Sequence, residues 1–295
     1  MRLCALLLAG LAASTLNWSA PSQAAPAAAA ASAEVRLPHI SVVSIGKGDP
    51  VVLIPGLASP RAVWAGITPE LAKKHRVLLV QVNGFGGDPA GANAKGEILS
   101  GAVSDLAGYL AQQKIRRPAV IGHSMGGLIG MMLTKAHPDA VGKVMIVDSL
   151  PFFGVIMNPG ATVDSVRPIA EQLRTMVSNG PLATQAPPNM SLTDAGNARV
   201  LEWLRASDKA VAGEALYEDL STDFRADVPS LAGRPVTIVY AVPSAERSET
   251  TRNLYADAYA KVPGAKLVPI EKSAHFVMLD QPEAFASAVK TFLGD

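Results

Sequence analysis

From residue 40 onward, short apolar runs alternate with longer amphipathic stretches. The run ISVVSIG predicts a strand, GKGD a turn, and PVVLIPG a buried strand ending at Gly56. AVWAGITPELAKKH reads as helical and RVLLVQV as the next buried strand. In GEILSGAVSDLAGYLAQQK the apolar positions Ile98, Val103, Leu106 and Leu110 recur at helical spacing. PAVIGH, MGGLIGMMLTKAH and GKVMIVD follow as strand, helix and strand. Strands alternating with helices imply a mostly parallel sheet covered by helices on both faces, an α/β fold.

The rhythm breaks after Asp148. Between about 150 and 225 no buried strand is predicted; helical pieces such as SVRPIAEQLRTMVSN and NARVLEWLRASDKAVAGEALYEDL are separated by NPGA and GPLATQAPPN. The alternation resumes with PVTIVYAV, the helix ETTRNLYADAYAKV, AKLVPIE and a last helix, PEAFASAVKTFLG. The expected organisation is an α/β core over 37–149 and 226–295, with a helical cap inserted at 150–225.

The first residues carry a different signal. Arg2, the short apolar stretch LCALLLAGLAASTL and the small residues Ser22 and Ala24 before Ala25 have the form of an export signal, 1–24, cleaved near Ala24. The apolar stretch is too short for a comfortable membrane span, so no stable anchor is expected after cleavage. The alanine-rich stretch 25–36 reads as a linker. A periplasmic or secreted location follows from this reading. The single cysteine, Cys4, falls inside the signal, so the exported chain would have neither disulfides nor thiol chemistry.

Charge narrows the partners. The chain carries 26 basic and 25 acidic side chains with no basic run longer than two, which disfavours nucleic acid and leaves a small molecule as the expected partner. The five histidines show no metal-ligand spacing such as H-E-x-x-H, so neither a metal nor a cofactor is called for.

Candidate chemistry starts at Gly122–Gly126, GHSMG, which sets Ser124 between a strand and a helix in the pattern G-x-S-x-G. A serine at so tight a turn needs small residues two positions either side. It also sits at a helix start, where free N–H groups favour negative charge.

Four segments, PVVLIPGLAS, QVNGFGGDP, VIGHSMGG and SAHFVMLDQPEAF, give the chain a resemblance to the α/β-hydrolase superfamily over roughly residues 40–295. The resemblance implies an oxyanion hole formed by the backbone amides of Leu57 and Met125, although the first loop here has Pro55-Gly56 where the family usually has His-Gly. It implies His275 as the base, in the chain order serine, acid, histidine. His123 is read as a packing or hydrogen-bonding residue turned away from the serine, and His39, His75 and His137 as solvated.

The acid departs from the pattern. Counting along the strand PVTIVYAV puts Ser244 where the family has Asp, whereas counting back from His275 lands on Glu246. Asp148, at the end of KVMIVD, is the other candidate, because some relatives carry their acid at that strand end. Asp148 and Glu246 both stay open, with Asp148 preferred. For the substrate side, Trp64, Phe152, Phe153 and Met157 are candidate pocket residues, each of which could equally pack the core.

These residues describe an exported serine hydrolase cleaving a small, apolar ester through an acyl-enzyme, without a metal or cofactor. Lactonase, peptidase or carbon–carbon bond hydrolase chemistry fits the same pattern. A hydrolase-fold protein that binds a small ligand with little turnover is the alternative, motivated by the missing Asp.

Overall fold

The computed structural model describes residues 33–295. The predicted signal and most of the predicted linker lie outside the described residues. The linker boundary is corrected by the chain itself. Strand β1 (Val35–Arg36) pairs antiparallel with Ser41 and Val42 of β2 (Ile40–Ile45), so folded structure begins inside the stretch read as linker.

Chain order continues with β3 (Asp49–Ile54), α1 (Thr68–Leu71), β4 (His75–Val82), α2 (Ile98–Gln112), β5 (Ala119–His123), α3 (Met125–Ala136) and β6 (Lys143–Val147). Four helices follow: α4 (Gly154–Met157), α5 (Val163–Asn179), α6 (Asp194–Ala206) and α7 (Lys209–Ser221). The core then closes with β7 (Val236–Val242), α8 (Ala245–Ala258), β8 (Lys266–Glu271), α9 (Val277–Asp280) and α10 (Pro282–Leu293). The eight strands lie in the order β1-β2-β4-β3-β5-β6-β7-β8, with β2 antiparallel to both its neighbours and every other pair parallel.

The central strands are near-continuous apolar runs because both faces of the sheet are covered. Alternate residues of β3 serve opposite sides. Val52 and Ile54 pack with α2, α3 and α8, while Val51 and Leu53 pack with Trp64, Leu71 and the apolar face of α10 (Phe285, Val289, Phe292). Full burial of each such aliphatic side chain contributes about 1.5–3 kcal/mol, and with one cysteine in the chain no internal disulfide can share that task.

Residues 150–225 hold helices and no strand, inserted between β6 and β7. Two predicted helices divide differently from the sequence reading. The stretch AVWAGITPELAKKH divides into a single 3-10 turn, Arg61–Trp64, and the short α1. The long helix read over NARVLEWLRASDKAVAGEALYEDL is two helices, because Ser207 and Asp208 are extended and the Asp208 carboxylate accepts from the Ala210 and Val211 N–H groups to start α7. Among the described residues no helix is long and apolar enough to cross a membrane.

Candidate active site

Ser124 stands between β5 and α3 with φ 54° and ψ −124°, a backbone conformation that L side chains rarely adopt. Its N–H donates to the Val147 carbonyl (2.9 Å), and its own carbonyl accepts from Gly127 (2.7 Å) and Leu128 (3.2 Å), which hold the turn in place. The glycines of GHSMG are there for close approach. A methyl group on Gly122 would collide with the Gly126 carbonyl, and one on Gly126 with the Ile54 carbonyl. Met125 opens α3, so its N–H has no acceptor within the helix. The Leu57 N–H, on the loop after β3, donates no hydrogen bond among the described residues.

Asp148 and His275 meet across the sheet edge. His275 Nδ1 lies 2.7 Å from Asp148 Oδ2. Asp148 follows β6 with φ 45°, and its other oxygen, Oδ1, accepts from the Ala241 N–H (2.9 Å) and the Tyr255 hydroxyl (3.0 Å). Burial alone would push this carboxyl up. The hydrogen bond and charge of His275, with help from the Ala241 N–H, instead hold it below the usual carboxylate range. An ionised Asp148 only accepts, so Nδ1 carries the proton and Nε2 is left with a lone pair. Burial and the charge of Asp148 raise the Tyr255 hydroxyl well above its ordinary value, so it stays a donor.

Glu246, the other carboxylate weighed as acid, is exposed in the first turn of α8. The loop PSAERSE expected to carry an acid is mostly helix, with Ser244 at its N-cap.

His123 takes the packing and hydrogen-bonding role read from the sequence, and its partner is the loop of His275. Its ring lies 4.6 Å from that of His275, centroid to centroid, and its Nε2–H donates to the His275 carbonyl at 2.9 Å. Burial, and secondarily the charge of His275, push it down to about 3, so it acts as a neutral strut. The expectation of solvated histidines holds at His137, which is exposed. It is corrected at His75, which is buried with Nε2 2.9 Å from Asp295 Oδ2, and at His39, which covers Gly101 beside Asp105.

The loop bearing His275 is further fixed by residues the sequence reading did not single out. The His275 and Phe276 N–H groups donate to the Asn189 and Met190 carbonyls of the cap, at 3.1 and 2.8 Å. Asp280 accepts from the Ala274 N–H (2.7 Å), the Leu192 N–H (3.1 Å) and the Ser191 hydroxyl, joining the His275 loop to the cap. The acid five residues past the histidine, in SAHFVMLDQ, was the available signal.

Ser124 and His275 both face a cavity of about 530 Å³ between the sheet edge and the cap, with Leu57, Ala58 and Phe276 on the core side. None of the four residues expected to line it does so. Trp64 is fully buried and stacks on Phe285 (6.1 Å) beneath the sheet. Phe152 and Phe153 belong to a small cluster inside the cap, where Arg225 lies 4.5 Å over the Phe152 ring. Met157 is 48% exposed. Nearness in sequence to Asp148 did not decide direction, because the chain turns at once to bond Pro151 to Phe224. Among the described residues no group of three or more His, Cys, Asp or Glu could hold a metal ion, and no Lys or Arg lines the cavity.

The chain is 27% identical over 265 residues to the pimeloyl-(acyl-carrier protein) methyl ester esterase of Aeromonas hydrophila, a match spanning 86% of this chain and 99% of that one. Its fold is similar to an esterase from Exiguobacterium antarcticum (TM-score 0.69, 20% identity, 87% of this chain and 96% of that one). It is also similar to the enol-lactonase from Burkholderia xenovorans (TM-score 0.65, 19% identity, 87% and 97%). A model of the Alpha/beta hydrolase family matches residues 51–288. By that match and by its sheet, the chain belongs to the alpha/beta hydrolase family, within the hydrolase class of enzymes.

Proposed function

We propose that the protein is a serine hydrolase that cleaves small, predominantly apolar carboxylic esters through an acyl-enzyme, and that it acts after export to the periplasm or beyond. The observation that carries the reaction is the 2.7 Å bond from His275 Nδ1 to Asp148, with His275 and Ser124 both lining one cavity. The export rests on the sequence of residues 1–24 alone.

In this reading Ser124 Oγ attacks the ester carbonyl while His275 Nε2 takes its proton. Asp148 holds the imidazole in the tautomer that leaves Nε2 free and stabilises the imidazolium once formed. The oxyanion is held by the N–H groups of Leu57 and Met125, the second reinforced by the start of α3. His275 then protonates the departing alkoxide, and water activated by the same imidazole releases the acid from Ser124. The apolar cavity supports an apolar substrate, and the relationship to a methyl ester esterase supports an ester.

The alternative, a ligand-binding protein with little turnover, was motivated by Ser244 in the acid's usual place. With a carboxylate bonded to His275 from β6, that motive falls away. The purified protein is expected to hydrolyse short-chain nitrophenyl esters, with turnover falling by on the order of 10⁶ in Ser124→Ala. Absence of turnover across butanoate to octanoate esters, or full turnover in Ser124→Ala, would overturn the reading.

A further inference from the structure

The cap helices α5, α6 and α7 each turn one face to the cavity, at the i, i+3, i+4 and i+7 spacing that lines a helix stripe. The stripes of α5 and α6 are apolar throughout. The stripe of α7 is Ala212, Leu216 and then Asp219, a carboxylate where an apolar residue is due.

Asp219 is only 5% exposed and makes no hydrogen bond or ion pair among the described residues; its Oδ1 is fully enclosed. The other acids of α7 are engaged. Glu214 meets Arg174 at 3.3 Å, and Glu218 accepts from the Ile98 and Leu99 N–H groups. Burial pushes the Asp219 carboxyl up to about 7. A buried, unpartnered carboxyl is costly to the fold, and such groups cluster where a ligand supplies the missing partner. No cationic side chain lines the cavity, and His123 within it is neutral.

We propose that Asp219 is the polar anchor of this cavity, a specificity-determining residue that selects substrates whose otherwise apolar acyl chain carries a hydrogen-bond donor, either a hydroxyl or an amine. The anchor rests on the reading of the cavity as the acyl site of a serine hydrolase. The hydroxyl is served by either protonation state of the carboxyl, whereas an ammonium needs the ionised form.

The test compares nitrophenyl esters from butanoate to octanoate with their ω-hydroxy and ω-amino counterparts. At the chain length that spans the cavity, one donor-bearing series is expected to exceed its plain ester in kcat/KM by at least about tenfold, because a buried polar group left unpaired penalises the analogue that lacks the donor. That ratio is expected to collapse to about one in Asp219→Leu. Asp219→Asn, which keeps an acceptor oxygen, should retain a hydroxyl preference and lose an amine preference, identifying which donor is selected. Cleavage with no preference at any length, or a preference that survives in Asp219→Leu, overturns the anchor and leaves the hydrolase reading standing. Binding of the same esters to Ser124→Ala, followed through the fluorescence of Trp203 in the cavity wall, separates the opposite case. If the wild type cleaves none of them, while donor-bearing esters bind Ser124→Ala more tightly and lose that advantage when Asp219→Leu is added, the hydrolase reading fails and the anchor stands.

Discussion

At the scale of residues, the site depends on two carboxylates in opposite situations. Asp148 is buried but fully supplied, with His275 on one oxygen and the Ala241 N–H and Tyr255 hydroxyl on the other. Asp148→Asn should leave the fold in place, put the wrong tautomer on His275 and lower kcat by on the order of 10⁴. Glu246→Gln, at an exposed turn of α8, should stay within about twofold of wild type. Steady-state kinetics of the two variants decides between them. Asp219 is buried and unsupplied, and a pH series exposes it. Its carboxyl is raised from 3.8 to about 7 on folding, so between those values the folded chain holds a proton that the unfolded chain has released. That contribution is complete below about pH 4 and lost as pH rises through about 7. Asp219→Asn should therefore melt higher than wild type at about pH 8, with the gap closing toward about pH 4. Thermal melts of the two proteins across that range check the sign; a gap that widens on acidification would contradict it.

At the scale of elements, what the sequence made legible was local. GHSMG specifies strand, turn and helix within a dozen residues, so Ser124 and its glycines could be placed without long-range information. His275 was legible for the same reason, between a strand and the last helix. The carboxylate that meets His275 was legible only as a preference for Asp148, because choosing between it and Glu246 requires knowing that α8 starts at Ala245, soon after β7, and leaves Glu246 exposed. The lining of the cavity was not legible either. Trp64 and Phe152 are apolar residues near the site in sequence, yet the 3-10 turn and the cap cluster point them into packed cores. The true lining comes from helix stripes whose periodicity is visible in the sequence but whose facing direction is set by the cap as a whole. One contact shows how elements complete each other. Helix α2 starts at a left-handed Glu97 with no side-chain cap of its own, and the Glu218 carboxylate of α7 takes the Ile98 and Leu99 N–H groups at 2.9 and 2.8 Å. Glu218→Ala should lower stability by about 1–2 kcal/mol, as loss of a helix cap does.

At the scale of the whole molecule, cap and core are joined at several points around the cavity. Glu218 reaches α2, Gly87 and Gly84 bond to Ala206 and Asp208, and Asn189 and Met190 bond to the loop of His275. Destabilising one joint should therefore shift a single transition. For Glu218→Ala, calorimetry should show one peak moved down by about 2–4 °C per kcal/mol, and a second, earlier peak would show the cap melting on its own. The same joints tie catalysis to the cap, since the base that would serve Ser124 sits on a loop hydrogen-bonded to it. Whether Ser124 is a nucleophile activated by His275 and Asp148 is read out by intact mass after brief exposure to a fluorophosphonate. One adduct per chain is expected, mapped to the peptide containing Ser124, absent in Ser124→Ala and strongly slowed in His275→Ala. An unmodified wild-type chain, or an adduct that persists in Ser124→Ala, would contradict it.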